Sequence, residues 1–396
     1  MKNNYNILIF ICLTVLLTQG CSVKWTESIK YGSVINNKNT TEVVDIEIRK
    51  KLIIVPITIK GKKYNFLFDT GAPFSISEEI QKKNNFKVVS KSNIVDSDYN
   101  RKKVKWVQVD SINIGNVLFQ NQTAFIGDFN ANPIMKCLGI DGIIGSNLIR
   151  QCNWTIDQEK YSLSLSKKIE TDTLKESIVL PFKTDYQYNI FIDVNLGQTN
   201  IKNILVDYGS NGSFALSDEI FNVLKEKNII SETFMEKGTS QSGIIGKPVK
   251  LNREITYSDS LRINNLNIKN VMIRTGKTVS LGNDFLSRFK VSIDWNNKKL
   301  YLVKSDKIID KNNKAGFTIS YTVEKGIYIQ SVIKNSDAYS KGIRPNMKVI
   351  KIDNLDFENG NDFCDYIDIK LNDDIILELV NLQGKRIKYQ IKKALL

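Results

Sequence analysis

The sequence predicts a mainly β protein of two similar lobes, arisen by internal duplication and followed by a small α/β unit. Three observations predict this. An alternating apolar strand, with Ile53, Val55, Ile57 and Ile59 ahead of Lys60-Gly61, returns as Ile190, Ile192, Val194 and Leu196 ahead of Gly197. Each is followed by a second apolar strand that runs into an Asp turn, YNFLFDTGAPFSI at 64–76 and KNILVDYGSNGSFAL at 202–216. The copies also keep one register: Asp207 follows Asp69 by 138 residues, Gly282 follows Gly145 by 137, and Asp294 follows Asp157 by 137.

In chain order, the first expected element is a signal segment at 1–20, where Lys2 precedes an apolar run too short for a permanent span. Thr18-Gln19-Gly20-Cys21 is similar to a bacterial lipoprotein cleavage box, which implies lipidation of Cys21; Ser22 after it favours the outer membrane. Residues 21–45 are polar and read as a tether. Lobe one then spans 46–168 and lobe two 180–305, each with one helical piece after its Asp turn, at 77–83 and 217–227. The stretch KSDKIIDKNNK separates them from a third unit at 315–395, with strands at 326–329 and 348–352 and a short helix at 338–342. A chain of 396 residues accommodates this division into domains.

Composition narrows the chemistry. There is no histidine, which removes Ser/His and Cys/His nucleophile pairs and HExxH zinc sites. The net charge of +14 comes from lysines scattered along the chain without a basic run, which reads as a solvated surface and not as a nucleic-acid site. Of five cysteines, Cys137, Cys152 and Cys364 remain in the mature, unlipidated part. Cys137 and Cys152 form the nearby pair for a disulfide, and buried free thiols are the alternative.

An Asp at the end of a buried strand, in a glycine turn, has backbone N–H groups close enough to support its charge. Two such turns, one per lobe, can face each other. Close carboxylates share a proton, so one can take a proton from water while the other donates to a substrate carbonyl. Asp69 and Asp207 are the candidate catalytic pair, with Thr70, Gly71, Gly209 and Ser210 supporting the turns.

Leu67-Phe68-Asp69-Thr70-Gly71-Ala72, followed by Asp141-Gly142-Ile143-Ile144-Gly145, resembles the aspartic peptidases of the pepsin and retropepsin kind. More closely, the chain resembles bacterial envelope aspartyl peptidase-like lipoproteins with a C-terminal PDZ domain. The resemblance implies a bilobal acid-protease fold, an aspartic-type endopeptidase working without cofactor or metal, and a flap, for which 92–105 and 242–246 are candidates. Tyr208 departs from it, standing where the family carries Thr or Ser, whose small hydroxyl braces the two turns. Lys314-Ala315-Gly316-Phe317 partly matches a PDZ carboxylate-binding loop, so Gly316 and Phe317 are candidates for capturing a peptide C-terminus; the alternative is a domain that only packs against the lobes. Asn346-Met347 stands where Gly-Asp is usual, and Asn tolerates the left-handed turn. The expected partners are a peptide or protein substrate and the membrane, with the chain as a monomer. The alternative function is an inactive peptide-binding scaffold of peptidase descent, and a third version assembles the pair from Asp69 of two chains.

Overall fold

Alternation along the strands determines which side chains meet. Ile190, Ile192, Val194 and Leu196 are all buried, while Asp193 and Asn195 between them face outward. In the computed structural model, residues 24–35, 41–174, 177–263, 266–305 and 313–394 are described. Strands make up 52% and helices 13%, so the fold is mainly β.

Strand Leu52–Ile59 forms a hairpin with Lys62–Phe68, which pairs in parallel with Gly142–Ile144; Ser75–Ser77 then lies antiparallel to Gly142–Ile144 and parallel to Val117–Gly127. The same pairings recur later in the chain. Ile190–Leu196 forms a hairpin with Thr199–Val206, whose end pairs in parallel with Ser280–Leu281; Phe214–Leu216 then lies antiparallel to Ser280–Leu281 and parallel to Leu266–Thr275. The helical pieces are Glu78–Asn84 and Asp218–Glu226, each capped by a serine, Ser77 or Ser217, that accepts from the third backbone N–H.

The halves join through one sheet. Asn153–Asp157 and Phe289–Asp294 pair antiparallel at its centre, and the Thr155 and Ser292 hydroxyls lie 2.9 Å apart there. Outward from the centre come Ser162–Ser166 and then Glu42–Asp45 on one side, Lys299–Lys304 and then Ile178–Thr184 on the other. The apolar side chains of both halves, among them Phe68, Trp154, Tyr208 and Phe285, form one continuous core.

Residues 313–394 form strands Phe317–Thr322, Gly326–Ile333, Lys348–Ile352, Asp374–Val380 and Arg386–Lys392, with helices Asp337–Ser340 and Phe363–Asp368. Asn346 takes the left-handed conformation (φ 71°) that its side chain tolerates. This unit is not free-standing. Gly326–Ile333 pairs with Phe234–Ser240 of the second half, and its core continues into Leu52, Phe129, Leu138 and Ile140 of the first.

Two expectations are corrected. Cys137 pairs with Cys364, across 227 residues, and not with Cys152. The short helix Pro133–Cys137 turns Cys137 toward helix Phe363–Asp368, whereas Cys152 packs against the main core as a half-buried free thiol whose pKa is pushed up by burial. The expected tether is also largely built into the fold. Trp25 stacks on Trp106 at 5.1 Å, Ile29 is fully buried, Ser33–Ile35 pairs with 118–120, and Glu42–Asp45 joins the central sheet. Trp25 and Ile29, at the two ends of one helical turn, supply apolar area that the tether's polar average hides. The signal segment at 1–20 and Cys21 lie outside the described residues.

The disulfide sets a prediction. Cys364→Ser should lower the unfolding free energy by about 2–4 kcal/mol and abolish the dependence of Tm on added reductant, while Cys152→Ser keeps that dependence. Thermal melts with and without reductant decide it; a Cys364→Ser protein that still responds to reductant overturns the assignment.

Candidate active site

Each Asp turn starts where an apolar strand ends against a parallel neighbour. The Asp69 N–H donates to the Ile144 carbonyl at 3.0 Å, and the Asp207 N–H donates to the Leu281 carbonyl at 2.9 Å. Each chain then folds back so that the next glycine solvates the carboxylate: Gly71 N–H to Asp69 Oδ1 at 2.7 Å, Gly209 N–H to Asp207 Oδ1 at 3.0 Å. The glycines are dictated by space. A methyl on Gly71 would lie 3.1 Å from Asp207 Oδ1, and one on Gly209 would lie 2.3 Å from Asp69 Oδ2. Each turn therefore packs on the other's carboxyl, which brings the two carboxyl groups close enough to couple.

Asp69 is 8% exposed, and Asp207 keeps a little more of its surface open. Burial raises the pKa of both, Asp69 additionally through the neighbouring Asp207 charge. For Asp207 the rise is opposed by the Gly209 and Ser210 N–H groups and by the Arg274 guanidinium. The pair is thus polarised: Asp69 is the better holder of a shared proton, Asp207 the better carboxylate.

The brace between the turns is one-sided. Thr70 Oγ1 donates to the Val206 carbonyl at 2.5 Å and accepts from the Tyr208 N–H at 3.2 Å. Tyr208 returns no such bond. Its ring is fully buried, packed edge-on against Phe68 with centroids 5.4 Å apart, and its hydroxyl has no partner among the described residues. Asn283 steadies the turn instead, donating from Nδ2 to the Tyr208 carbonyl at 2.6 Å.

Ser210 lies in the second turn, where its Oγ accepts from the Gly212 N–H at 3.3 Å. Gly316 and Phe317 lie elsewhere. Phe317 is buried in the third unit's core, and Gly316, at φ 77°, presses on Ser336 while its carbonyl accepts from the Ile333 N–H at 2.8 Å. Helix Pro133–Cys137 of the first half contacts both strand Phe317–Thr322 and helix Phe363–Asp368.

The flap candidates meet each other. Strands Lys87–Val95 and Arg101–Ile114 form a hairpin whose tip reaches the 240–247 loop, and there the Asp98 carboxylate accepts from the Ser242 and Gly243 N–H groups at 2.8 and 2.9 Å and from the Ser240 and Ser242 hydroxyls. Tyr99 beside it donates to the Lys277 carbonyl at 3.4 Å. A cavity of about 390 Å³ beside this contact, lined by Ile94, Val104, Ile126, Ile244 and Ile245 but also by Glu78, Lys82, Lys102, Lys103, Lys105 and Asp128, includes neither aspartate. Sequence reasoning missed Asp98 and Arg274. A DSDYN turn signals the first; nothing local signals the second.

A family model described as aspartyl protease matches residues 55–148, the span that holds Asp69, Thr70, Gly71 and strand Gly142–Ile144. Comparison with curated proteins returns no match.

Two stability predictions follow from this geometry. Tyr208→Phe removes an unpaired buried hydroxyl and should leave stability unchanged or raise it by up to about 1 kcal/mol; a clear loss in a urea melt would reveal a partner for the hydroxyl. A carboxyl with a raised folded-state pKa stabilises fully only below its unfolded pKa and loses that contribution as pH rises through the folded value. Asp69→Asn should therefore raise Tm at neutral and higher pH, with the gap closing below about pH 4. Equal Tm differences across that range would mean that Asp69 is not strained.

Proposed function

We propose that the chain is an aspartic-type endopeptidase of the bacterial cell envelope, anchored through lipid on Cys21. The mutual packing of two buried Asp turns, each glycine set against the opposite carboxyl, carries this reading. The family match over 55–148 and the repeated strand pairings support a bilobal, retropepsin-like duplication. With Asp69 and Asp207 in one chain, the pair is complete in a monomer. A disulfide between Cys137 and Cys364 suits an oxidising compartment outside the cytoplasm.

In the proposed mechanism a water sits between the carboxyls. Ionised Asp207 takes its proton as the water oxygen attacks the scissile carbonyl carbon, and protonated Asp69 donates to the carbonyl oxygen. The tetrahedral diol collapses when a proton passes to the amide nitrogen and the C–N bond breaks, which leaves a carboxylic acid, an amine and the pair with one shared proton.

The third unit reads as PDZ-like by its element order and the left-handed Asn346. The surface beside Gly316 and Phe317, where a peptide end would dock, faces helix Pro133–Cys137, so the unit acts first as a clamp on the lobes. The second reading, an inactive peptide-binding scaffold, is favoured by the one-sided brace at Tyr208.

The test is cleavage of a mixed peptide library by the full chain in detergent, across pH. Asp69→Asn and Asp207→Asn should each lower kcat by about 10²–10⁴-fold, and the bell-shaped profile should lie above the ordinary carboxylate range because both pKa values are raised. Turnover that survives both substitutions sinks the proposal. Binding without turnover selects the scaffold.

A further inference from the structure

Arg274 is the charged side chain beside Asp207 that the mechanism leaves unused. It lies on strand Leu266–Thr275, in register with Ala215, and its neighbours Ile273 and Thr275 turn into the core while it remains half-buried on the other face. Its guanidinium borders the catalytic turn: a methyl on Gly212 would lie 3.0 Å from Nη2 and 3.2 Å from Cζ, and 3.5 Å from Ser210 Oγ.

No hydrogen bond or ion pair holds this guanidinium among the described residues. The nearby acid cannot serve, because Glu236 is already engaged, its Oε2 accepting from Arg253 Nε at 2.6 Å and its Oε1 from the Ser331 hydroxyl. Arg253 adds a like charge. Asp207 senses Arg274 electrostatically without a direct bond. The Arg274 donors are not among the buried unpartnered atoms, so they are open to an incoming group, and a carboxylate is the group that fits their fork.

The matching position in the first half differs. Ser75 pairs with Ile143 and Phe125 as Ala215 pairs with Ser280 and Arg274, so a buried Phe125 stands where the second half has Arg274. The equivalent strand position is therefore apolar in the first half and cationic in the second.

Resting on the endopeptidase reading, we propose that Arg274 is a specificity residue that receives an Asp or Glu side chain of the substrate beside Asp207. A bound peptide thereby gains a fixed direction across the cleft, with its acidic residue toward Arg274.

The experiment compares peptide pairs identical but for Glu or Gln, scanned over the positions flanking a cleavable bond. The full chain, Arg274→Gln and Arg274→Lys are assayed for kcat/KM, and the same pairs are titrated by fluorescence anisotropy against the Asp69→Asn chain with and without Arg274→Gln. At one position the parent should prefer Glu by roughly tenfold or more, Arg274→Gln should bring the ratio near one, and Arg274→Lys should restore part of it. A ratio near one throughout the scan overturns the proposal, as does a Glu preference that Arg274→Gln leaves intact. Equal losses for Glu and Gln peptides, with a shifted pH profile, also overturn it, since Arg274 would then act only on Asp207. Binding that prefers Glu through Arg274 in a chain that cleaves nothing would keep this site and sink the peptidase reading; cleavage indifferent to Glu does the reverse.

Discussion

Two carboxyl groups held against each other in a site with little water cannot both carry charge, and most of the surrounding structure serves that constraint. The N–H groups of Gly71, Gly209 and Ser210 solvate what negative charge there is. The glycines themselves make the approach sterically possible. Parallel strand neighbours hold the backbone of each Asp through Ile144 and Leu281, so neither turn can shift within its own half without breaking sheet hydrogen bonds. Further out, the antiparallel pairing of 153–157 with 289–294 fastens one half to the other and keeps the two turns in register.

Within this near-symmetry the halves have divided their tasks. Thr70 supplies the polar crosslink between the turns, while Tyr208 supplies apolar filling under Phe68 and leaves its hydroxyl without a partner. The single hydroxyl of Thr70 both donates to and accepts from the second turn. Arg274 adds electrostatic asymmetry on the same side as Tyr208, so charge and packing both distinguish Asp207 from Asp69.

Local pattern explains what was legible in the sequence. The alternation around Ile190, the Asp-Gly turns and the serine caps at Ser77 and Ser217 are short-range features, and each occurs where its residues placed it. Repetition at a constant offset extended that reading to the pairing of whole halves. Long-range choices were not legible: Cys137 had a nearer candidate in Cys152, and only the packing of the third unit on helix Pro133–Cys137 brings Cys364 to it. Arg274 was hidden because a charge in an alternating strand ordinarily marks the solvated face, and the turn that makes it matter lies about sixty residues earlier. The segment at 24–35 misled because its composition is polar while Trp25 and Ile29 carry its contacts.

The Cys137–Cys364 bond closes a covalent ring of chain that contains the whole second half, Asp207 included, and leaves Asp69 on an arm outside it. A single nick anywhere in the ring would not release a fragment, because the two resulting ends stay joined through sulfur. For a chain proposed to cut polypeptides, that arrangement lets it survive one misdirected cut inside the ring, its own or a neighbouring protease's, as one molecule with both aspartates still in the same particle.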